Sequence, residues 1–186
     1  KYVTTGLYEN KFGISQHEFD KLIDILKKSG HINFIGLHFH IGSQITRVEE
    51  VFGLECRRVN EIVAYFERNG LTVRNINLGG GLGVDYDDPD ENAIPDFETW
   101  FRTISENIVR REDQTVHVEP GRSLVAQCAT LISRVLFVKS GETKNFLIMD
   151  AGMNDLIRPA LYGAYHKIEN LSAEQRTFFP THQAYD

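Results

Sequence analysis

The sequence is poor in several residue types, and each shortage limits what the protein can be. Its 186 residues include two cysteines, Cys56 and Cys128, which form no Cys-x-x-Cys pair and have no histidine at a metal-ligand spacing. This argues against a zinc site, and both cysteines are interpreted as core or helix-face thiols. No apolar run approaches the roughly 20 residues of a membrane span, and no secretory signal precedes the first motif. We therefore expect a cytoplasmic protein with no membrane partner.

Positive charge is also scarce. The chain has 20 lysines and arginines against 26 aspartates and glutamates, which gives a formal net charge of −6 at pH 7. The basic residues are scattered along the chain, so nucleic acid is not expected as a partner. With 41% hydrophobic and 25% charged residues, the composition is that of a globular protein.

A glycine-rich run is present, but it lacks the known nucleotide-binding spacings. The apolar stretch Val73–Leu78 leads directly into Gly79–Gly81. The third glycine of a dinucleotide fingerprint would fall at Val84 or Tyr86, and no P-loop sequence exists. Successive glycines at a strand end allow backbone N–H groups to approach an anion such as phosphate. The alternative is a tight turn that close packing requires.

Two further apolar runs end in polar motifs. Ile32–Phe39, a near-continuous apolar run that predicts a strand buried on both faces, leads into His40 and the Gly42-Ser43 turn. Thr115–Val118 leads into Glu119-Pro120-Gly121-Arg122. The carboxyl ends of parallel strands meet at one edge of a sheet, where ligands of α/β proteins bind. We therefore expect the three strand ends to form one site.

Helical patterns alternate with these strands. Ser15 and Glu18 predict a capping box for a first helix that ends near Gly30, a second helix is predicted over residues 49–69, and Asp96 is predicted to cap a third. Helices of this length between strands make parallel βαβ units. An open doubly wound sheet and part of a (β/α)8 barrel both fit this order.

The pattern changes after the last of these strands. Residues 131–138 and 145–150 predict an antiparallel hairpin, so a domain boundary is expected near residues 122–130. The acidic segment at 85–95 is interpreted as an exposed loop.

The side chains at the strand ends suggest the ligand. Ser43 offers a hydroxyl and an N–H group to an anion. His38 and His40 lie on one face of an extended strand; we interpret His38 as hydrogen-bonded to the backbone and His40 as facing the ligand. Glu119 and Arg122 have two interpretations. They form an ion pair with each other, or Glu119 binds a cationic ring nitrogen and Arg122 binds an anionic oxygen. Together these groups suit a heteroaromatic phosphate such as pyridoxal 5′-phosphate.

Four motifs, in this order, closely resemble diaminopimelate decarboxylase: residues 38–44, 79–83, 119–123 and 150–162. The last motif separates this family from the related ornithine and arginine decarboxylases. The resemblance implies an α/β fold, in which residues 1–125 are the C-terminal part of a pyridoxal-phosphate-binding (β/α)8 TIM-like barrel, of the alanine-racemase type. Residues 126–186 would be the incomplete start of an antiparallel β domain.

The resemblance also implies roles for individual residues. His40 would stack on the cofactor ring, and Glu119 would pair with the pyridine nitrogen. The substrate carboxylate would be bound by Arg122, Arg158 and Tyr162. Phosphate and the rest of the cofactor would be held by Ser43, Gly79, Gly80, Gly81, Pro120, Gly121 and Arg122.

The reaction implied is the decarboxylation of meso-2,6-diaminopimelate to L-lysine, catalysed by a homodimer of the parent protein. A related amino-acid decarboxylase of the ornithine or arginine type, a sugar- or nucleotide-phosphate barrel enzyme, and a non-catalytic relative are the alternatives. No metal is expected.

Two motifs of the family are missing from the sequence. No lysine has the Lys-Ala-Asn context of the Schiff-base lysine, and the Cys-Glu-Ser motif of the proton-donor cysteine is absent. Neither Cys56 nor Cys128 matches that cysteine. The sequence is therefore expected to be an internal fragment, inactive by itself, that binds the cofactor weakly at best.

Overall fold

The computed structural model describes residues 11–92 and 94–172. The chain forms two compact units. The first comprises Lys1–Val84 and Ile94–Ala126, and the second comprises Asp85–Ala93 and Gln127–Asp186. The acidic loop that follows the glycine run thus belongs to the second unit.

The first unit is an α/β structure whose helices alternate with three parallel strands. The strands lie in the order β1–β2–β3, and their register places His38 beside Asn77 and Asn77 beside His117. The predicted parallel βαβ units are therefore confirmed. A short 3-10 helix, Gln16–Glu18, comes first, and the elements are α1 (Phe19–Lys28), β1 (Gly36–His38), α2 (Val48–Arg68), β2 (Asn75–Asn77), α3 (Phe97–Asn107), β3 (Thr115–His117) and α4 (Arg122–Val125).

The core of this unit lies between the helices and the sheet. Trp100 of α3 packs against Phe52 of α2, with ring centroids 5.6 Å apart. The cap of α3 is as predicted, because an Asp96 carboxylate oxygen accepts a hydrogen bond from the Thr99 N–H at 3.0 Å. Hydrogen bonds from Thr99 hold the pKa of Asp96 below its usual value. The apolar stripe of α2 is buried in this core and comprises Phe52, Cys56, Val59, Val63 and Phe66.

The capping box predicted for the first helix was wrong. Ser15 precedes the 3-10 helix, and its side chain makes no capping hydrogen bond. Instead, the Glu18 N–H donates to the Ser15 carbonyl oxygen at 2.9 Å. The backbone of the 3-10 turn therefore satisfies the donor that a capping box would have used.

The first strand is shorter and less buried than predicted. A strand over Ile32–Phe39 with both faces covered was expected, but the ladder extends only over Gly36–His38. Ile32 and Ile35 are half exposed, at 50% and 58%. The reason is that, among the described residues, β1 pairs with β2 alone, so its other edge has no neighbouring strand.

One acidic side chain lies in the interior of the first unit. Glu55 on α2 is 5% exposed, and both of its carboxylate oxygens lack a hydrogen-bond partner among the described residues. Because burial penalises the charged form, the pKa of Glu55 rises to about 8. The side chain is therefore mostly protonated at neutral pH.

The second unit contains the predicted antiparallel hairpin. Strands β4 (Val135–Ser140) and β5 (Asn145–Met149) pair with each other, and α5 (Arg158–Tyr162) carries Pro159 in its first turn. Cys56 and Cys128 are both described and form no disulfide. None of the described helices is both long and apolar enough to cross a membrane.

Candidate functional site

The carboxyl ends of the three parallel strands lie side by side, as predicted. Beyond the paired residues, the Phe39 N–H donates to the Asn77 carbonyl oxygen at 2.8 Å, and the Glu119 N–H donates to the Gly79 carbonyl oxygen at 2.6 Å. These bonds continue the strand pairing into the loops. They bring the histidine motif, the glycine run and the Glu119 motif to one edge of the sheet.

Close packing at this edge requires the glycines. A Cβ atom at Gly79 would lie 2.4 Å from the Phe39 carbonyl oxygen, and one at Gly80 would lie 2.1 Å from the Glu119 carbonyl oxygen. Gly81 has a φ of +105°, which side-chain-bearing residues rarely adopt. The packing interpretation of the glycine run is therefore correct, and an anion-binding role depends on the N–H groups that the run presents.

Several donors at the strand ends lack a protein partner. Among the described residues, the backbone N–H groups of Gly80 and Gly81 and the hydroxyl of Ser43 donate to no protein acceptor. The Ser123 hydroxyl oxygen is buried and also has no hydrogen-bond partner within residues 11–92 and 94–172. Gly80 is buried, and buried backbone donors are rarely left unsatisfied, so this set fits an anionic ligand such as a phosphate.

The carboxylate of Glu119 has a hydrogen-bond donor on one side and an imidazole nearby on the other. Asn77 donates its side-chain N–H to one carboxylate oxygen at 2.7 Å, and His38 Nε2 lies 3.7 Å from the other. The Asn77 side-chain oxygen accepts a hydrogen bond from the Gly79 N–H at 2.8 Å. The interpretation of His38 as hydrogen-bonded to the backbone was wrong, because its ring faces Glu119.

Sequence reasoning missed Asn77, although the sequence contained a signal. Asn75 and Asn77 are polar residues two positions apart, on one face of a strand whose middle residue, Ile76, is buried. Asn75 uses its side chain differently, since it donates to the Ile35 carbonyl oxygen at 3.0 Å and contacts His117 Nε2 at 2.9 Å. Of these two asparagines, Asn77 is the one that contacts the acid of the site.

His40, the predicted ligand-facing side chain, lies beside the glycine run. Its ring Nδ1 is 3.1 Å from the position that a Cβ atom of Gly79 would occupy. The residue is exposed, so one side of the imidazole remains accessible to a planar ligand.

A second residue that sequence reasoning missed joins two of the loops. Gln44 has a φ of +61°, and its side-chain amide donates to the Val84 carbonyl oxygen at 2.5 Å and accepts from the Val84 N–H at 3.3 Å. These bonds fix the Ser43 turn against the end of the glycine loop.

The remaining predicted residues of the first unit lie where β3 meets α4. Gly121 is the residue before α4, and a Cβ atom there would contact nothing within 4 Å. Arg122 is half-buried in the first turn. Both directly follow Glu119 and Pro120 at the same strand end.

Arg158 and Tyr162 lie in the second unit and face the same way. The Arg158 guanidinium carbon is 5.7 Å from the Tyr162 ring centroid. It is also 5.6 Å from the ring of Tyr86, a contact that the sequence did not predict. The loop at 85–92 is therefore not merely exposed acidic chain, because Tyr86 is half-buried against Arg158.

Comparison with known proteins identifies the class to which this arrangement belongs. The family described as "pyridoxal-dependent decarboxylase, pyridoxal binding domain" matches residues 1–126. The chain belongs to the pyridoxal-dependent decarboxylase family.

Its similar relatives include particular enzymes of that family. The chain is 51% identical over 173 residues to diaminopimelate decarboxylase of Bacteroides thetaiotaomicron, and the match covers 93% of this chain and 45% of that protein. It is 40% identical to the same enzyme of Neisseria meningitidis serogroup A, with 90% of this chain and 40% of that protein covered. The resemblance to diaminopimelate decarboxylase is thereby confirmed. The chain spans less than half the length of these relatives.

Solved structures agree with this assignment. Diaminopimelate decarboxylase from Helicobacter pylori (I148L mutant), complexed with L-lysine, superposes with a TM-score of 0.80 at 36% identity, covering 93% of this chain and 42% of that one. The arginine decarboxylase of Paramecium bursaria Chlorella virus superposes with a TM-score of 0.73 at 20% identity, covering 90% and 43%. The second similarity shows a shared fold alone.

Proposed function

We propose that the protein containing this chain is a pyridoxal-5′-phosphate-dependent decarboxylase that converts meso-2,6-diaminopimelate to L-lysine and carbon dioxide. The observation that carries the proposal is the Glu119 carboxylate, fixed by Asn77 at 2.7 Å beside the unpartnered N–H groups of Gly80 and Gly81. A carboxylate and a pair of N–H donors at one edge of the sheet match the pyridine nitrogen and the phosphate of this cofactor. The membership of the family and the similarity to diaminopimelate decarboxylases support the same cofactor and substrate.

The residues present fit the cofactor. Its phosphate would be held by Ser43 and by the Gly80 and Gly81 N–H groups of the run that begins at Gly79. Pro120, Gly121 and Arg122 would close the site from the next strand, and the exposed face of His40 would pack on the cofactor ring. When bound, the cofactor supplies an electron sink that stabilises negative charge on the carbon that loses carbon dioxide.

Residues of this chain would orient the cofactor and bind the substrate. Glu119 would hold a proton at the pyridine nitrogen, and Asn77 keeps its carboxylate in place. The guanidinium groups of Arg122 and Arg158 and the hydroxyl of Tyr162 would bind substrate carboxylate. The Schiff-base lysine and the proton-donor cysteine would come from sequence outside this chain.

The proposal extends to the architecture of the whole protein. The three parallel strands would be the last strands of a (β/α)8 barrel, and the hairpin would begin an antiparallel β domain. The whole protein would act as a cytoplasmic homodimer.

The test is product analysis with the full-length protein loaded with pyridoxal 5′-phosphate. We expect carbon dioxide and L-lysine from meso-diaminopimelate, and no comparable turnover of L-ornithine or L-arginine. Preferential decarboxylation of ornithine or arginine would contradict the substrate assignment. A loaded, folded protein that decarboxylates none of the three would contradict the proposed activity.

A further inference from the structure

We infer that Tyr86 is a positioning residue for Arg158, and that the loop at 85–92 thereby forms part of the substrate-carboxylate site. The inference rests on the proposed function, because it takes Arg158 as the group that binds the carboxylate. It adds a loop residue to that site.

The geometry places two aromatic rings against one guanidinium. The Arg158 guanidinium carbon lies 5.6 Å from the Tyr86 ring centroid and 5.7 Å from that of Tyr162. Both distances are within the range of a cation–π interaction. Tyr162 belongs to the same short helix as Arg158, whereas Tyr86 comes from a loop 72 residues earlier. Tyr86 therefore restrains the guanidinium from a second element.

Unsatisfied nitrogen atoms indicate that a ligand belongs beside these rings. Arg158 Nε is buried and has no hydrogen-bond partner among the described residues, and the same is true of His166 Nε2. The His166 ring packs edge-on against Tyr86, with centroids 5.8 Å apart. A guanidinium beside two rings, with its Nε–H donor unused among the described residues, suits the planar, bidentate geometry of a carboxylate.

The charge state of His166 is compatible with this arrangement. Burial and the positive charge of Arg158 lower the pKa of His166, so the imidazole is neutral at neutral pH. It therefore adds no second positive charge beside the guanidinium.

Hydrogen bonds and ion pairs order the loop around Tyr86. The Asp85 carboxylate accepts hydrogen bonds from the Asp87 N–H at 2.9 Å and from the Asn92 side chain at 2.8 Å. Lys167 forms ion pairs with Asp90 of the loop and, at 2.8 Å, with Glu169. The Asp85 bonds stabilise the loop internally, and the Lys167–Asp90 ion pair joins the loop to the chain that follows α5.

The experiment compares Tyr86→Leu with Tyr86→Phe in the full-length, cofactor-loaded protein. The phenylalanine variant keeps the ring face and is the matched control. Two probes, L-lysine and 1,5-diaminopentane, are titrated by calorimetry, because they differ only by the carboxylate. We expect Tyr86→Leu to weaken L-lysine binding about tenfold, Tyr86→Phe to stay within about twofold of wild type, and 1,5-diaminopentane binding to be unchanged in both.

Turnover provides a second readout. Tyr86→Leu should raise the KM for meso-diaminopimelate by about the same factor and leave kcat within about twofold, because the contact orients a binding group. Equal weakening of both probes by Tyr86→Leu, wild-type behaviour of that variant, or equal loss in the phenylalanine variant would each overturn the inference.

Failure of the proposed function would be recognised separately. It would show as absence of turnover and of L-lysine binding in the wild-type protein. The inference would then be judged from crystal structures of the variants: the Arg158 guanidinium should move in Tyr86→Leu and stay in place in Tyr86→Phe. An unmoved guanidinium in both variants would overturn it.

Discussion

The side chain of Asn77 joins the acid of the site to the glycine run: its N–H donates to Glu119 at 2.7 Å, and its oxygen accepts from the Gly79 N–H at 2.8 Å. One amide thus fixes the two features that would face opposite ends of the cofactor. Because both partners lie on neighbouring strand ends, a change at Asn77 should disturb the site without removing any group that touches the ligand.

Replacing Asn77 by alanine in the full-length protein should lower kcat/KM for diaminopimelate about tenfold to a hundredfold, since a hydrogen bond to a charged group is lost. Steady-state kinetics measure the effect, and the bound cofactor's absorption spectrum should change with it. Asn75→Ala is the matched control, because it removes an amide from the same strand face without touching Glu119. Equal losses in the two variants would show that strand stability, and not the Glu119 contact, causes the defect.

Replacing Gly80 by alanine should destabilise the first unit by at least about 2 kcal/mol, because the new Cβ atom would lie 2.1 Å from a backbone oxygen that cannot move easily. Urea unfolding of the full-length protein measures the change. Gly30→Ala is the control, because a Cβ atom there meets nothing within 4 Å and the residue has no positive φ. A Gly80→Ala protein as stable as wild type would contradict the packing of the strand ends.

The sequence predicted those features whose cause is local. Three such features are found in the structure, and each depends on neighbouring residues in the chain: the apolar periodicity of α2, the Asp96 cap of α3 and the turn at the three glycines. The capping box at Ser15 failed because a competing local structure, a 3-10 turn, satisfied the same donor.

The contacts that the sequence did not predict join distant segments. Tyr86 lies in an acidic stretch typical of an exposed loop, and its contact with Arg158 depends on how the second unit folds. Gln44 resembles an ordinary turn residue, yet it bonds to Val84, 40 residues away. Asn77 was predictable only in part. The alternation of polar and apolar residues along its strand is visible in the sequence, but its partner Glu119, 42 residues away, is not.

Replacing Glu55 by glutamine should remove a pH dependence of stability. The pKa of Glu55 is about 8 in the folded protein against an ordinary 4.5, so the folded state holds a proton that the unfolded chain releases. Wild-type stability should therefore fall as pH rises from about 4.5 to about 8 and then level off. Thermal unfolding at several pH values should show that the stability of Glu55→Gln depends less on pH than that of the wild-type protein. At the highest pH values the variant should be more stable than wild type.

Glu61→Gln is the control for this comparison, because Glu61 is exposed on the same helix and pairs with Arg58 at 2.7 Å. Its pH profile should follow that of the wild-type protein. A wild-type profile in Glu55→Gln would contradict this prediction, because it would mean that the pKa of Glu55 is the same in the folded and the unfolded protein.

Replacing Gln44 by alanine should destabilise the protein by about 1–3 kcal/mol, since both hydrogen bonds to Val84 are lost at a residue with a φ of +61°. Binding of pyridoxal 5′-phosphate should weaken as well, because the Ser43 turn is no longer fixed. Chemical unfolding and cofactor titration of the full-length protein measure these effects. Gln16→Ala, at an exposed position in the 3-10 helix, is the control and should change neither stability nor cofactor binding. A Gln44→Ala protein with the stability and cofactor affinity of the Gln16→Ala protein would contradict the role given to Gln44.

The most direct test of the proposed cofactor site is a crystal structure of the full-length protein with pyridoxal 5′-phosphate bound. We expect the phosphate to accept hydrogen bonds from the Gly80 and Gly81 N–H groups, and the pyridine nitrogen to lie within hydrogen-bond distance of the Glu119 carboxylate. A cofactor bound elsewhere, or one whose ring nitrogen faces away from Glu119, would contradict it.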